Sequence, residues 1–115
     1  MTLESPRAPA FVNRQPVTIR HSGTALVVGP DKRTISCGKH TDIPEEVEWV
    51  SLEGGEGFTV RFDKADGSPF ADNTFEVPSG GSVSSGPIVV GPGEYRYTVY
   101  DRHDRKKDPA IIVTP

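Results

Sequence analysis

Apolar and polar residues alternate along most of this chain with a period of two. Such alternation puts one face of an extended segment in a core and the other in water, so it predicts strands. Residues 17–20 and 25–28 are the first two, and Gly29-Pro30-Asp31 separates them from the next. In 33–37, Ile35 and Cys37 share one face, and Thr34 and Ser36 the other. In 46–52, Val47 and Trp49 point inward, and Glu46 and Glu48 outward. The turn Gly54-Gly55-Glu56-Gly57 feeds 58–62, where Phe58, Val60 and Phe62 share a face opposite Thr59 and Arg61. Residues 63–73 read as a loop that turns at Asp66-Gly67-Ser68-Pro69. Further strands are predicted over 74–77, 88–90, 95–100 and 111–113, with an irregular edge strand around Val83 in the Gly/Ser-rich segment 79–86. Turn signals recur about every ten residues, the spacing of a sandwich or barrel. The nearest thing to a helical signal, 41–48, opens on Thr-Asp-Ile-Pro-Glu-Glu but runs straight into the Trp49 strand.

Residues 1–15 are polar, carry prolines and lack any period, so they read as a flexible N-terminal arm from which Phe11 and Val12 could dock. Residues 16–115 then form one all-β domain, the number expected for a 115-residue chain. The 12 glycines and 11 prolines are spread along the sequence and call for many turns. No apolar run approaches the roughly 20 residues of a membrane-spanning helix. A net charge of −3 gives nucleic acid no broad reason to bind. The only dense basic run, 102–107, is interrupted by Asp104 and flanked by Asp101 and Asp108, as a solvated loop would be. With 1 cysteine, Cys37, no intrachain disulfide can form. The N-terminus also lacks the apolar core of a signal peptide. Together these favour a reducing, cytoplasmic setting.

The order of features from Glu46 onward resembles the cupredoxin family. That family has a Val-x-Trp strand, a turn, an apolar alternating strand, and Pro-Gly-x-Tyr-x-Tyr before a final metal loop. Here these stand as Val47-Glu48-Trp49, Phe58-Thr59-Val60-Arg61-Phe62 and Pro92-Gly93-Glu94-Tyr95-Arg96-Tyr97. The resemblance implies a Greek-key β-sandwich of about seven or eight strands in two sheets. It also implies where copper ligands would stand. The first His position corresponds to Gly57 and the Cys position to Val99. His103 lies near the second His position, and the only methionine is Met1. Without a thiolate in the loop, a blue-copper site cannot be built.

Other chemistry is sparse. Cys37-Gly38-Lys39-His40 offers two metal ligands, where a structural zinc site needs four and a catalytic site usually three. On its alternating strand Cys37 is expected to pack as a small hydrophobe. Asp63 to Gly67 lacks the ligand spacing of a calcium loop. There is no Gly-x-Ser-x-Gly elbow and no phosphate-binding Gly-Lys-Ser/Thr. Tyr95 and Tyr97 face the core, which leaves Tyr100 as the one surface aromatic that could stack on a ligand. The expectation is a non-enzymatic, metal-free binding or structural module without cofactor or electron-transfer activity, taking a protein partner at one loop end of the sandwich. Its candidate contact residues are Gly57, Arg102, His103, Arg105, Lys106 and Lys107. Two other readings stay open. One is a metalloprotein with a non-standard site on His103, His21 or the Cys37/His40 pair. The other is an immunoglobulin-like adhesion or carbohydrate-binding domain.

Overall fold

All but one of the expected segments form strands, and together they build two layers. The structure, a computed structural model, describes residues 13–38 and 44–115. In chain order the strands are β1 (Asn13–Ser22), β2 (Ala25–Gly29), β3 (Lys32–Ser36), β4 (Glu45–Ser51), β5 (Phe58–Phe62), β6 (Thr74–Val77), β7 (Ser82–Ser84), β8 (Gly93–Tyr100), β9 (Lys106–Lys107) and β10 (Ala110–Thr114). One sheet has the order β2-β1-β4-β7; the other runs β3-β10-β8-β5-β6, with β9 beside β8. Two pairings, β1 with β4 and β3 with β10, are parallel; the remaining ladders are antiparallel. The all-β class and the two-sheet sandwich are therefore as expected.

The number of strands is not, since ten form among the described residues rather than seven or eight. Lys106 and Lys107 make a two-residue strand where a loop was expected. Residues 88–90 make only one bridge, Ile88 to Phe70. Pro87 and Pro92 remove ladder donors on either side, and Val89 and Val90 are left exposed. The Gly/Ser segment supplies the edge strand β7 instead, with Val83 opposite Trp49.

The N-terminal boundary also moves. Asn13, Arg14 and Gln15, assigned to the arm by composition, open β1 and pair with Glu45, Glu46 and Val47. What orders them is the backbone of β4 and a hydrogen bond from Gln15 Nε2 to Glu45 Oε2 at 2.7 Å, not apolar burial. The rest of the arm, including Phe11 and Val12, lies outside the described residues. So do 41–43 of the segment weighed as a helix, whose later part, from Glu45, is in β4.

The core is aromatic at its centre. Trp49 is fully buried and packs against Phe62, Phe70, Phe75 and Tyr97, with ring centroids 4.8–6.2 Å away. Its indole Nε1 donates to the Tyr97 hydroxyl at 3.3 Å, so the one polar atom of the ring has a partner in the core. Burial in turn pushes the Tyr97 phenol well above its ordinary pKa. Val47, Phe58, Val60 and Ile35 face inward as the alternation requires, and Cys37 packs against this cluster.

One strand position departs from the alternation. Glu46, expected outward and solvated, is buried. Its strand is central in its sheet, so side chains from both neighbours close over it. Ser84 Oγ donates to Glu46 Oε1 at 2.9 Å, and Arg14 Nε lies 3.6 Å from the same oxygen.

Candidate functional site

Strand register decides which end of the sandwich each loop occupies. In the parallel β1–β4 ladder Ile19 sits opposite Ser51, so His21 and the 52–57 turn leave the sheets together. In the β5–β8 ladder Thr59 sits opposite Tyr100, which brings Gly57 and Asp101 to the same end. Cys37 lies elsewhere. It follows Ser36, the partner of Thr114, beyond the Gly93 end of β8. Eight strand residues, on the order of 25 Å, separate that end from Asp101. The structure thus parts Cys37 from His21 and from the 101–105 loop, while His40 lies outside the described residues.

At the His21 end three segments meet. The His21 ring donates from Nε2 to Asp101 Oδ2 at 2.9 Å, and its Nδ1 lies 3.7 Å from Glu53 Oε1. Its backbone N–H donates to Glu53 Oε2 at 2.8 Å. Asp101, whose side chain is fully enclosed, accepts on Oδ1 from the amides of His103 at 2.8 Å and Arg105 at 3.0 Å. Glu56 completes the group, held loosely by Arg102 with Nε at 3.8 Å. Donor atoms of His21, Glu56 and Asp101 all lie within 4.8 Å of one another.

This arrangement sets the protonation states. The hydrogen bond to Asp101 raises the His21 pKa above its ordinary value; burial opposes the rise, and the charges of Glu56, Glu53 and Asp101 add to it. For Asp101, burial alone would raise the pKa. The bonds from His21 and from the amides of His103 and Arg105, with the Arg105 charge, more than offset that and leave it below the usual range. The cluster therefore favours the charged form of the imidazole and the ionised form of Asp101. Arg105 Nη1 lies 3.8 Å from Asp101 Oδ2, and Arg102 Nε the same distance from Glu56, so positive charge already stands beside both acids. The second ring nitrogen of His21 faces the Glu53 carboxylate.

Sequence reasoning had weighed His21 only as a metal ligand and had read Asp101 as an interruption in a basic run. The two are 80 residues apart, and nothing in their spacing joins them. The expected contact residues do share this end, in different roles. His103 is exposed and meets the cluster through its amide, not its ring. Arg102 and Arg105 are tied to Glu56 and Asp101. Tyr100 has the Arg61 guanidinium 5.6 Å over its ring, so one stacking face is taken.

Gly57 is closed to side chains altogether. A Cβ there would clash with the Val77 carbonyl oxygen, a contact that backbone must move to relieve. The position that corresponds to the first copper ligand thus lacks room for any ligand, and Val99 at the thiolate position is fully buried. Gly57→Ala should accordingly cost about 1–3 kcal/mol by overpacking, read as a lowered thermal midpoint. An unchanged midpoint would mean that the 52–57 turn is free to move off β6.

Lys106 and Lys107 lie on β9 and, with Lys32, Arg96, Asp31, Glu94 and Asp108, line an open groove of about 540 Å³ on the outer face of the larger sheet. Of the acids of the 101–108 segment only Asp101 is withdrawn from solvent. Asp101 is buried, Asp108 accepts from Thr98 Oγ1 at 2.9 Å, and Asp104 occupies a left-handed turn at φ 62° with its amide donating to the Asp101 carbonyl. Both lysines are exposed. A run that reads as mixed charge in sequence stays mixed at the surface, with Asp101 alone withdrawn from it. The groove walls include Glu94 and Arg96 of β8, so this surface extends from the loop end onto a sheet face that was expected to be left to water.

The sequence matches no family model and no curated protein. Among solved structures it is similar to McoA, a multicopper oxidase from the hyperthermophile Aquifex aeolicus. The TM-score is 0.51 and the identity 11%, over 96% of this chain and 31% of that one. The chain thus spans about a third of the length of that protein. At this identity the likeness concerns architecture, and multicopper oxidases are built of cupredoxin-like domains. The fold of the present chain is that of a cupredoxin-like β-sandwich.

Proposed function

We propose that this domain is a non-enzymatic, metal-free interaction module on a cupredoxin-like scaffold, without electron-transfer activity. It binds an acidic segment of a protein partner along the groove that starts at its loop end. The observation that carries this reading is the groove itself, in which Lys32, Arg96 and the exposed Lys106 and Lys107 gather on one sheet face. Copper chemistry is disfavoured by Val99 in the core and by the closed Gly57 position. The carboxylates within the groove oppose an anionic ligand, but Glu94 is paired with Lys32 at 3.6 Å. Lysines at such a rim act mainly on association rate and salt dependence, so the expected affinity is modest.

The test is a titration with a labelled acidic peptide, such as alternating Glu and Gly, followed by fluorescence anisotropy at two salt concentrations. Binding should weaken as salt rises. It should fall several-fold in the double variant Lys106→Ser, Lys107→Ser, at an unchanged melting temperature. The double variant Arg14→Ser, Arg20→Ser changes the net charge equally on the other sheet and should bind as the parent does. Equal loss in both doubles would reduce the effect to overall charge and sink the assignment.

A further inference from the structure

We propose that His21 and Asp101 form a proton-operated latch: the charged imidazole holds the 101–105 loop in place, and loss of its proton loosens that loop. The latch bears on function through the reading above that Lys106 and Lys107 present the binding surface, since β9 continues directly from this loop.

The argument is one of donors and acceptors. A charged imidazole has two N–H groups, and here both point at carboxylates, Asp101 from Nε2 and Glu53 from Nδ1. A neutral imidazole has one. If Nε2 keeps its proton, the Nδ1 lone pair faces the Glu53 carboxylate at 3.7 Å, which is repulsive. If Nδ1 keeps it, the bond to Asp101 is lost. The first tautomer keeps the Asp101 bond without the cation's charge, and the second loses it; in both, the positive charge left beside Glu56 and Asp101 is that of Arg102 and Arg105, each 3.8 Å from its acid. The Phe58 ring, 5.6 Å from the His21 ring, offers no charge.

Asp101 transmits the change. Its Oδ1 organises the loop by accepting from the amides of His103 and Arg105, while its Oδ2 faces His21. Between those two amides sits Asp104, at a positive φ of 62° that a non-glycine residue adopts at some cost. The loop is thus held in a strained turn by one buried carboxylate whose orientation His21 sets.

The direction with pH follows. His21 has a raised pKa in the folded chain. Its contribution is complete below the ordinary value of 6.5 and is lost as pH rises through the folded value. Asp101 has a lowered pKa, so its contribution is complete above 3.8 and is lost only as pH falls through the folded value. The latch is closed at weakly acidic pH and opens toward the alkaline side.

Nuclear magnetic resonance of the isolated chain tests this. The His21 ring and the amides of His103 and Arg105 are followed between about pH 5 and 9, the range in which histidines titrate. The expected result is that both amides shift with the same midpoint as the His21 ring, and that their hydrogen exchange accelerates above it. Glu53→Gln should lower that midpoint and carry the amide transition with it. His21→Gln should abolish the transition, while His103→Asn should leave it. Amides that stay constant through the His21 titration, or that follow the His103 ring instead, would overturn the latch. The readout needs no ligand, so coupled amides without acidic-peptide binding would support the latch and remove the binding surface.

Discussion

Trp49→Ala is expected to lower the stability of the domain by about 3–5 kcal/mol, the cost of truncating a large buried aromatic. Three terms act together. The indole touches four other aromatic rings drawn from both strands and loops, so its loss opens a cavity that Phe62, Phe70, Phe75 and Tyr97 can only partly close. Tyr97, itself almost fully buried, loses the donor to its hydroxyl. Edge-to-face geometry with Phe62, Phe70 and Tyr97 contributes beyond area alone. Denaturant titrations of parent and variant measure the effect directly, provided the slopes agree. Trp49→Phe should recover part of it, because a smaller ring still fills most of the site. A loss below about 1 kcal/mol for the alanine variant would show that the aromatic cluster repacks freely and is not the centre of the core.

Asp101→Ala should cost about 2–3 kcal/mol, a large effect for a residue at a loop. The enclosed carboxylate satisfies the amides of His103 and Arg105 and the ring of His21. Removing it leaves those donors without their acceptor and the left-handed turn at Asp104 without its clamp. Asp108→Ala provides the comparison. It removes a single bond to Thr98 from an exposed residue of the same segment and should cost no more than about 1 kcal/mol. Equal costs for the two variants would mean that Asp101 is effectively solvated. In that case the loop would owe its shape to the β8–β9 ladder alone.

These two residues also divide what can be read along the chain from what cannot. Trp49 was legible. It sits in a strict alternation with Val47, in a sequence punctuated by Gly and Pro turns, and burial of one strand face follows from those local facts. The same holds for Phe58, Val60 and Phe62, whose strand bounds agree with the alternation, and for Tyr97. Phe70 was not legible. It lies in a stretch read as loop, and it reaches the core because the loop folds back onto Trp49.

Position within a sheet, unlike position within a strand, is invisible to alternation. Glu46 has an outward register, but β4 is flanked by β1 and β7, and the flanking Arg14 and Ser84 enclose the carboxylate. Asn13 to Gln15 carry no period at all and become a strand because β4 offers them a parallel backbone. Gly57 shows the same limit. The sequence identifies a glycine in place of a histidine, and only the approach of the Val77 carbonyl shows that nothing larger fits.

By itself, then, the sequence determined the all-β class, the principal strands and most of the core, because period, turn residues and β-branched or aromatic content are local properties of the chain. The cluster of His21, Glu53, Glu56 and Asp101 was decided only by tertiary structure. Its members come from three loops or strand ends, and the parallel β1–β4 ladder together with the β5–β8 register carries them to one end. The enclosure of Asp101, alone among the acids of 101–108, was likewise a tertiary result. Whether an aspartate faces water or caps a loop depends on the amides that surround it, and those are placed by contacts between residues far apart in the chain.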